Sequence, residues 1–251
     1  MEYICISSPR FVGCKTHPFV MPFWKRSIDI ICALIAMPVL GVCALFMAIV
    51  TKLVSPGPIL FKQERIGFQG RRFKIYKFRT MFVSADTDVH QSYFKDLMQT
   101  NAPMTKLDAK GDKRLIPGGW LLRASGLDEL PQLINVLKGD MSLVGPRPCI
   151  PSEFEQYLPW QRERVNATPG LTGLWQVSGK NRTTFDEMIR FDIKYARSIS
   201  LGLDLKIIVS TVPALLQQIG DTLQRRKPDQ TLPVASPEGS FKQQQITGNT
   251  R

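Results

Sequence analysis

The chain has 251 residues and a formal net charge of +12, enough for one sizeable domain or two small ones. A mean hydropathy of −0.08 excludes a polytopic membrane protein. The basic excess fits an anionic lipid surface plus phosphorylated substrates better than nucleic acid, since zinc-finger spacing, a basic leucine zipper and an RNA-recognition signature are all missing from the sequence.

Residues 1–22 lack helical periodicity and read as an N-terminal arm. Residues 28–50 are an apolar run of the length that engages a bilayer core. Its only charge is Asp29 and its only proline is Pro38. Lys25 and Arg26 flank it on one side and Lys52 on the other, so the positive-inside rule assigns no direction. Pro38 removes a helical hydrogen bond near the middle. A helix broken there enters one leaflet and turns back; a straight spanning helix with a tolerated kink is the alternative. Asp29 is expected to pair with Lys25 and Arg26 at the interface, because an unpaired carboxylate there is costly.

Ser55-Pro56-Gly57-Pro58 marks a turn. Residues 59–67 and 73–79 read as two strands of a hairpin closed by Gly67–Gly70, with Phe73, Ile75 and Lys77 on one face of the second. Residues 84–98 read as a polar helix, 101–117 as a loop and 120–123 as a short helix. Leu130, Leu133, Ile134 and Leu137 form one apolar helical face. Pro131 places the start of that helix near 128–130, and Gly139 ends it. Residues 152–165 read as a charged helix, 168–175 as a rigid glycine-rich loop and 185–198 as a helix. Over 201–219 the apolar residues form an amphipathic stripe, facing either the core or a headgroup plane. From 223 to 251 the composition is that of a disordered tail. The cysteines Cys5, Cys14, Cys32, Cys43 and Cys149 form no Cys-x-x-Cys pair, which argues against a disulfide framework or metal site and for a reducing compartment.

The acidic pair Asp128–Glu129 opens the predicted helix, where free N–H groups and the dipole favour negative charge. Arg123 lies five residues before it. Such surroundings keep a carboxylate ionised and nucleophilic, and also welcome a phosphate. In Val144-Gly145-Pro146-Arg147-Pro148 the prolines Pro146 and Pro148 fix where a phosphate-binding guanidinium points.

Five stretches together resemble the bacterial sugar transferases, the monotopic phosphoglycosyl transferases. They are Lys25-Arg26-Ser27-Ile28-Asp29, Lys77-Phe78-Arg79-Thr80-Met81, Leu127-Asp128-Glu129-Leu130-Pro131-Gln132-Leu133, Lys138 through Pro148, and Pro169-Gly170-Leu171-Thr172-Gly173. The likeness covers residues 23–218, and Leu174-Trp175-Gln176-Val177-Ser178-Gly179 resembles the exopolysaccharide branch. Gly126 stands where many members have a bulkier residue.

The resemblance implies transfer of a sugar-1-phosphate from a UDP-sugar to undecaprenyl phosphate with Mg²⁺. Asp128 would be the nucleophile that carries the phosphosugar, and Glu129 would complete the metal-binding dyad. Arg123, Arg147, Pro146, Pro148 and Arg79 would form the phosphate site. Lys25, Arg26, Asp29 and Pro38 would belong to the membrane anchor. The implied fold is α+β and mainly helical. It comprises a re-entrant membrane helix over 23–54, interfacial amphipathic helices, a small β-hairpin and a catalytic domain over 55–222 on the cytoplasmic face of the bacterial inner membrane. Homo-oligomers are compatible with it.

Overall fold

The computed structural model describes residues 21–83, 97, 100, 103–104 and 114–225. The expected arm before residue 21, the helix over 84–98, most of the loop after it and the tail beyond 225 lie outside the described residues.

The apolar run forms α1 (Phe23–Val54), which continues through Pro38 without a break in the helix. Its 32 residues extend ~48 Å at 1.5 Å per residue. The expected interruption at Met37–Pro38 is therefore absent. One proline removes one hydrogen bond, and the packing on both sides of it holds the helix together. Buried positions are Lys25, Asp29, Ala33, Leu40, Met47 and Thr51, at spacings of four and seven that make one narrow stripe. Ala33 packs with Ile75, Leu133, Val136 and Met141. Leu40 and Met47 pack with Phe78 and Ile116. Ile31, Ile35, Val39, Val42, Phe46 and Leu53 remain exposed.

The turn after α1 leads into an antiparallel hairpin, β1 (Leu60–Ile66) and β2 (Arg72–Phe78), with Lys77 opposite Phe61 and Ile75 opposite Gln63. A 3-10 turn over Phe68–Gly70 closes it. Ile75 is buried as alternation predicts. Phe78, on the other face, is buried too, because α1 covers that end of the hairpin. The open edge of β2 is closed by a side chain: Asn135 accepts from Tyr76 N (3.2 Å) and donates to Lys74 O (2.8 Å). Strand-edge groups are satisfied here without a third strand.

A short helix, α2 (Gly119–Ser125), ends at Gly126, whose φ is 74°. A 3-10 helix (Leu127–Gln132) runs straight into α3 (Leu133–Lys138), which Gly139 ends at φ 85°. The strand β3 (Ser142–Val144) pairs in parallel with β4 (Gly170–Thr172), so the expected glycine-rich loop is partly a strand. The charged helix expected over 152–165 is instead α4 (Pro151–Glu155) and a separate 3-10 turn (Gln161–Asn166), divided around Pro159. A one-turn α5 (Leu174–Val177) precedes α6 (Phe185–Arg197). There Thr184 and Glu187 cap α6 reciprocally, Thr184 Oγ1 accepting from Glu187 N (3.3 Å) and Glu187 Oε2 from Thr184 N (2.8 Å).

The last helix, α7 (Leu201–Arg225), includes the first residues of the expected tail. Its inward face carries Asp204, Ile207, Thr211 and Gln218, whereas Leu205, Val209, Val212 and Leu216 face outward. A core-facing role for the apolar stripe is thereby overturned. The domain is bound by Asp204, Thr211 and Gln218 together with Ile207, which packs with Val144, Ala167 and Tyr195, and most of the apolar stripe is left open.

The residues expected to pair at a lipid interface instead dock α1 on the domain. Lys25 is buried and donates to Asp204 Oδ2 (2.6 Å), Val144 O (2.8 Å) and Tyr195 Oη (2.9 Å). Arg26 donates to the carbonyls of Val136 (2.5 Å) and Leu137 (2.7 Å) at the end of α3. Asp29 accepts from Leu143 N (2.8 Å) and Ser142 Oγ (3.0 Å). Breaking a buried ion pair strands the surviving charge. Lys25→Met is expected to destabilise the protein by ~3–5 kcal/mol, while Lys25→Met with Asp204→Leu recovers most of that. Denaturant unfolding of the three proteins checks this, and equal stability of the single and double variants would refute it.

Candidate active site

Asp128 and Glu129 lie in the 3-10 helix behind Gly126, with Asp128 buried. The α-helix proper begins five residues after Asp128, so the charge near the pair comes mainly from side chains rather than from a helix terminus. Lys77 donates to Glu129 Oε1 at 2.6 Å. It reaches Glu129 because β2 turns Phe73, Ile75 and Lys77 to one face and the 3-10 helix packs against that strand. Burial pushes the Glu129 carboxyl up, but the charges of Lys77 and Arg147, the Lys77 hydrogen bond and the charge of Lys180 outweigh it and hold it down to about 2.

Arg147 enters this field from a strap whose backbone is fixed at successive residues. Gly170 N donates to Pro146 O (2.9 Å), Arg164 Nη2 to Arg147 O (2.8 Å), Arg65 Nη1 to Pro148 O (3.2 Å) and Ile66 N to Cys149 O (2.9 Å). Arg164 is itself buried, held by Asp192 (2.5 Å), Tyr157 and Glu153. Proline stiffness alone, the basis of the sequence argument, is a small part of this rigidity. The strap lies against β4 so closely that a Cβ on Gly145 would sit 2.2 Å from Thr168 O, and one on Gly170 would sit 2.0 Å from Gly145 N. Pro146, Arg147 and Pro148 line a shallow, open recess with Ile66, Gly67 and Pro169. Asp128 and Glu129 are not among its walls.

Arg123 stands in the last turn of α2, and its carbonyl accepts from Gln218 Nε2 (3.2 Å). Arg79 is placed elsewhere. Its guanidinium is spent on the turn after α1, donating to Pro58 O (2.8 Å), Ser55 Oγ (2.9 Å) and Ser55 O. It clasps the end of the apolar helix.

Three side chains at the site escaped the sequence reading. Lys77 lies in a family motif whose spacing points to no role for it. Lys180 and Gln218 carried no local signal beyond a cation after Gly179 and a polar residue in an apolar stripe. Lys180 feels Glu129, Arg147, Lys77 and Asp128. Burial presses its pKa down, Glu129 and Asp128 oppose this, and Arg147 and Lys77 add to it.

A pH prediction follows from Glu129. Its folded pKa lies below its ordinary value, so its ionised form stabilises the fold above that ordinary value, and the contribution is lost as the pH falls toward 2. Lys77→Met removes the leading attractive charge, so Glu129 takes up its proton at higher pH. The acid-unfolding midpoint of that variant is expected above the wild-type midpoint; an unchanged midpoint would show that Lys77 does not hold the carboxylate.

Comparison with known proteins places this geometry. The bacterial sugar transferase profile matches residues 20–218. The chain is 42% identical to the galactosyl transferase CpsE of Streptococcus agalactiae over 84% of its own length and 47% of that protein. It is 37% identical to the exopolysaccharide production protein ExoY of Rhizobium meliloti over 83% of its length and 93% of that protein. Identity is 42% to the UDP-glucose:undecaprenyl-phosphate glucose-1-phosphate transferase of Caulobacter vibrioides, over 76% of the chain and 69% of that protein. The chain thus spans about half of CpsE and nearly all of ExoY. With the profile covering most of its length and the acidic pair set among cations, the chain belongs to the bacterial sugar transferase family.

Proposed function

We propose that the protein is a phosphoglycosyl transferase that moves a sugar-1-phosphate from a UDP-sugar to undecaprenyl phosphate through a covalent intermediate on Asp128. The observation that carries this reading is the buried Asp128 beside a carboxylate held ionised, in the shared field of Lys77, Arg147 and Lys180. Phosphoryl transfer depends mainly on positioning and charge neutralisation, and this constellation offers both. The relatives' names supply the donor and acceptor classes.

In the first step the Asp128 carboxylate attacks the sugar-bearing phosphorus. The P–O bond to the nucleotide breaks and UMP leaves, so the phosphosugar stays on Asp128 as an acyl phosphate. In the second step a phosphate oxygen of undecaprenyl phosphate attacks the same phosphorus. The acyl P–O bond breaks, Asp128 returns to its carboxylate form, and the lipid-linked diphosphate sugar departs. Glu129, ionised and oriented by Lys77, stays out of the covalent chemistry. Arg147, held by its strap, faces the transferring charge.

Asp128 and Glu129 also suit Mg²⁺. That ion takes one or two carboxylates and completes its shell with phosphates and water, and among the described residues no cluster of three or more His, Cys, Asp or Glu exists that would favour a fully protein-bound metal. Bound there, Mg²⁺ would neutralise diphosphate charge.

Trapping tests the mechanism. Protein given UDP-sugars labelled in the sugar-1-phosphate is expected to retain label, and Asp128→Asn to retain none and lose activity by on the order of 10⁴-fold or more. An active Asp128→Asn protein would rule the intermediate out. A panel of UDP-sugars scored by UMP release identifies the sugar.

We also propose that α1 is re-entrant, with the catalytic domain on the cytoplasmic face of the inner membrane. Support comes from both ends of α1 being bound to one domain, Lys25 on Val144 and Asp204 and Ser55 on Arg79. A straight span would put those ends on opposite sides of the bilayer, so in this reading α1 turns back by bending at Pro38 without a gap in the helix. The exposed apolar faces of α1 and α7 supply the buried surface. In sealed inverted inner-membrane vesicles of a cysteine-free protein, single cysteines at Ser27 and Lys52 are expected to react equally with an impermeant maleimide. Protection of one site alone would establish a span.

A further inference from the structure

Lys180 occupies an unusual backbone position. Gly179 has φ 109° and Lys180 itself φ 37°, the left-handed region that side chains other than Gly, Asn and Asp rarely adopt. The turn is braced: Arg182 N donates to Gly179 O (2.8 Å), Thr183 Oγ1 to Lys180 O (2.8 Å) and Trp175 Nε1 to Thr183 Oγ1 (2.7 Å). Surroundings that enforce a strained conformation mark functional positions.

The strain puts the ammonium in a specific place. Lys180 Nζ donates to Gln218 Oε1 at 2.7 Å. The amide of Gln218 in turn donates to Ala124 O (2.8 Å) and Arg123 O (3.2 Å), at the end of the helix that precedes Asp128. Lys180 is therefore parked on a neutral amide while its charge acts on both carboxylates and on Arg147 and Lys77. Lys77 answers Glu129 directly. A cation held by an amide, next to an ion pair already made, is available to an incoming anion.

We propose that Lys180 is a phosphate-contacting catalytic residue, held ready by Gln218 for the donor's diphosphate and for the phosphate of the departing nucleotide. This rests on the donor class proposed above, but not on the covalent intermediate. Gln218 sits on the inward face of α7, whose outward face carries Val209, Val212 and Leu216, so the same helix that presents an apolar surface also sets the reach of Lys180.

The test compares phosphate with nucleoside. Purified full-length protein in detergent is titrated with UMP and with uridine. Lys180→Met and Lys180→Asn both remove the charge, and asparagine tolerates the left-handed backbone, which separates charge from strain. Both variants are expected to bind UMP roughly 10- to 100-fold more weakly, as for loss of a hydrogen bond to a charged group, with uridine binding unchanged. Lys180→Arg is expected to restore most UMP affinity. In turnover, Lys180→Asn lowers kcat/KM for the UDP-sugar by a similar factor. Wild-type UMP affinity in both neutral variants overturns the proposal and leaves the Asp128 mechanism standing. An equal loss of UMP and uridine binding also overturns it, since that reports a structural role. Failure of the wild type to bind UMP at all overturns the donor class and this proposal together. An active Asp128→Asn protein with weakened UMP binding in Lys180→Asn removes the covalent step and supports Lys180.

Discussion

The close backbone approach between β3 with its following strap and β4 is the constraint on which the rest of the molecule depends. Gly145 and Gly170 meet at distances no side chain permits. Because they do, Gly145 N reaches Thr172 O and Gly170 N reaches Pro146 O, both at 2.9 Å. The same strand takes the apolar helix: Ser142 and Leu143 bind Asp29, and Val144 binds Lys25. A few residues later the strap carries Arg147 toward the acidic pair. One short segment thus fixes α1 on one side and a guanidinium on the other, and a shift in either is felt by both.

Polar groups do much of the docking that apolar side chains perform in a soluble domain. Lys25, Asp29 and Arg26 join α1 to the domain, Asp204, Thr211 and Gln218 join α7 to it, and Asn135 finishes the edge of the hairpin. Buried polar contacts of this kind are costly when half-made and directional when complete. Their use here frees the apolar faces of two helices to point outward. Exposed apolar faces of this kind mark a surface that meets a membrane or another protein.

The site shows how three cations from distant parts of the chain hold the Glu129 carboxyl ionised. Burial opposes ionisation of Glu129, and Lys77, Arg147 and Lys180 together reverse it. Each cation arrives from a different part of the chain: a strand, a clamped strap and a strained turn. Convergence of this type cannot be seen from spacing, because Lys77 and Glu129 are 52 residues apart and come together only through the packing of β2 on the 3-10 helix.

By itself the sequence determined the local elements and singled out an acidic pair. The hairpin around Gly67–Gly70, the helix ending at Gly139 and the helix over 185–197 follow from turn chemistry and periodicity, and Asp128–Glu129 stood out by its setting. Residues 152–165 have the composition of one helix, but Pro159 divides them into two. Tertiary structure alone decided the partners. It gave Lys25 to Asp204 rather than Asp29, set Arg79 on Ser55, turned the apolar side of α7 outward, and brought Lys180 to the acidic pair. The reason is that charge, unlike backbone propensity, has no local preference for a partner. A lysine in a sequence is the same whether it meets a carboxylate beside it or one 179 residues away, and only the packed chain chooses.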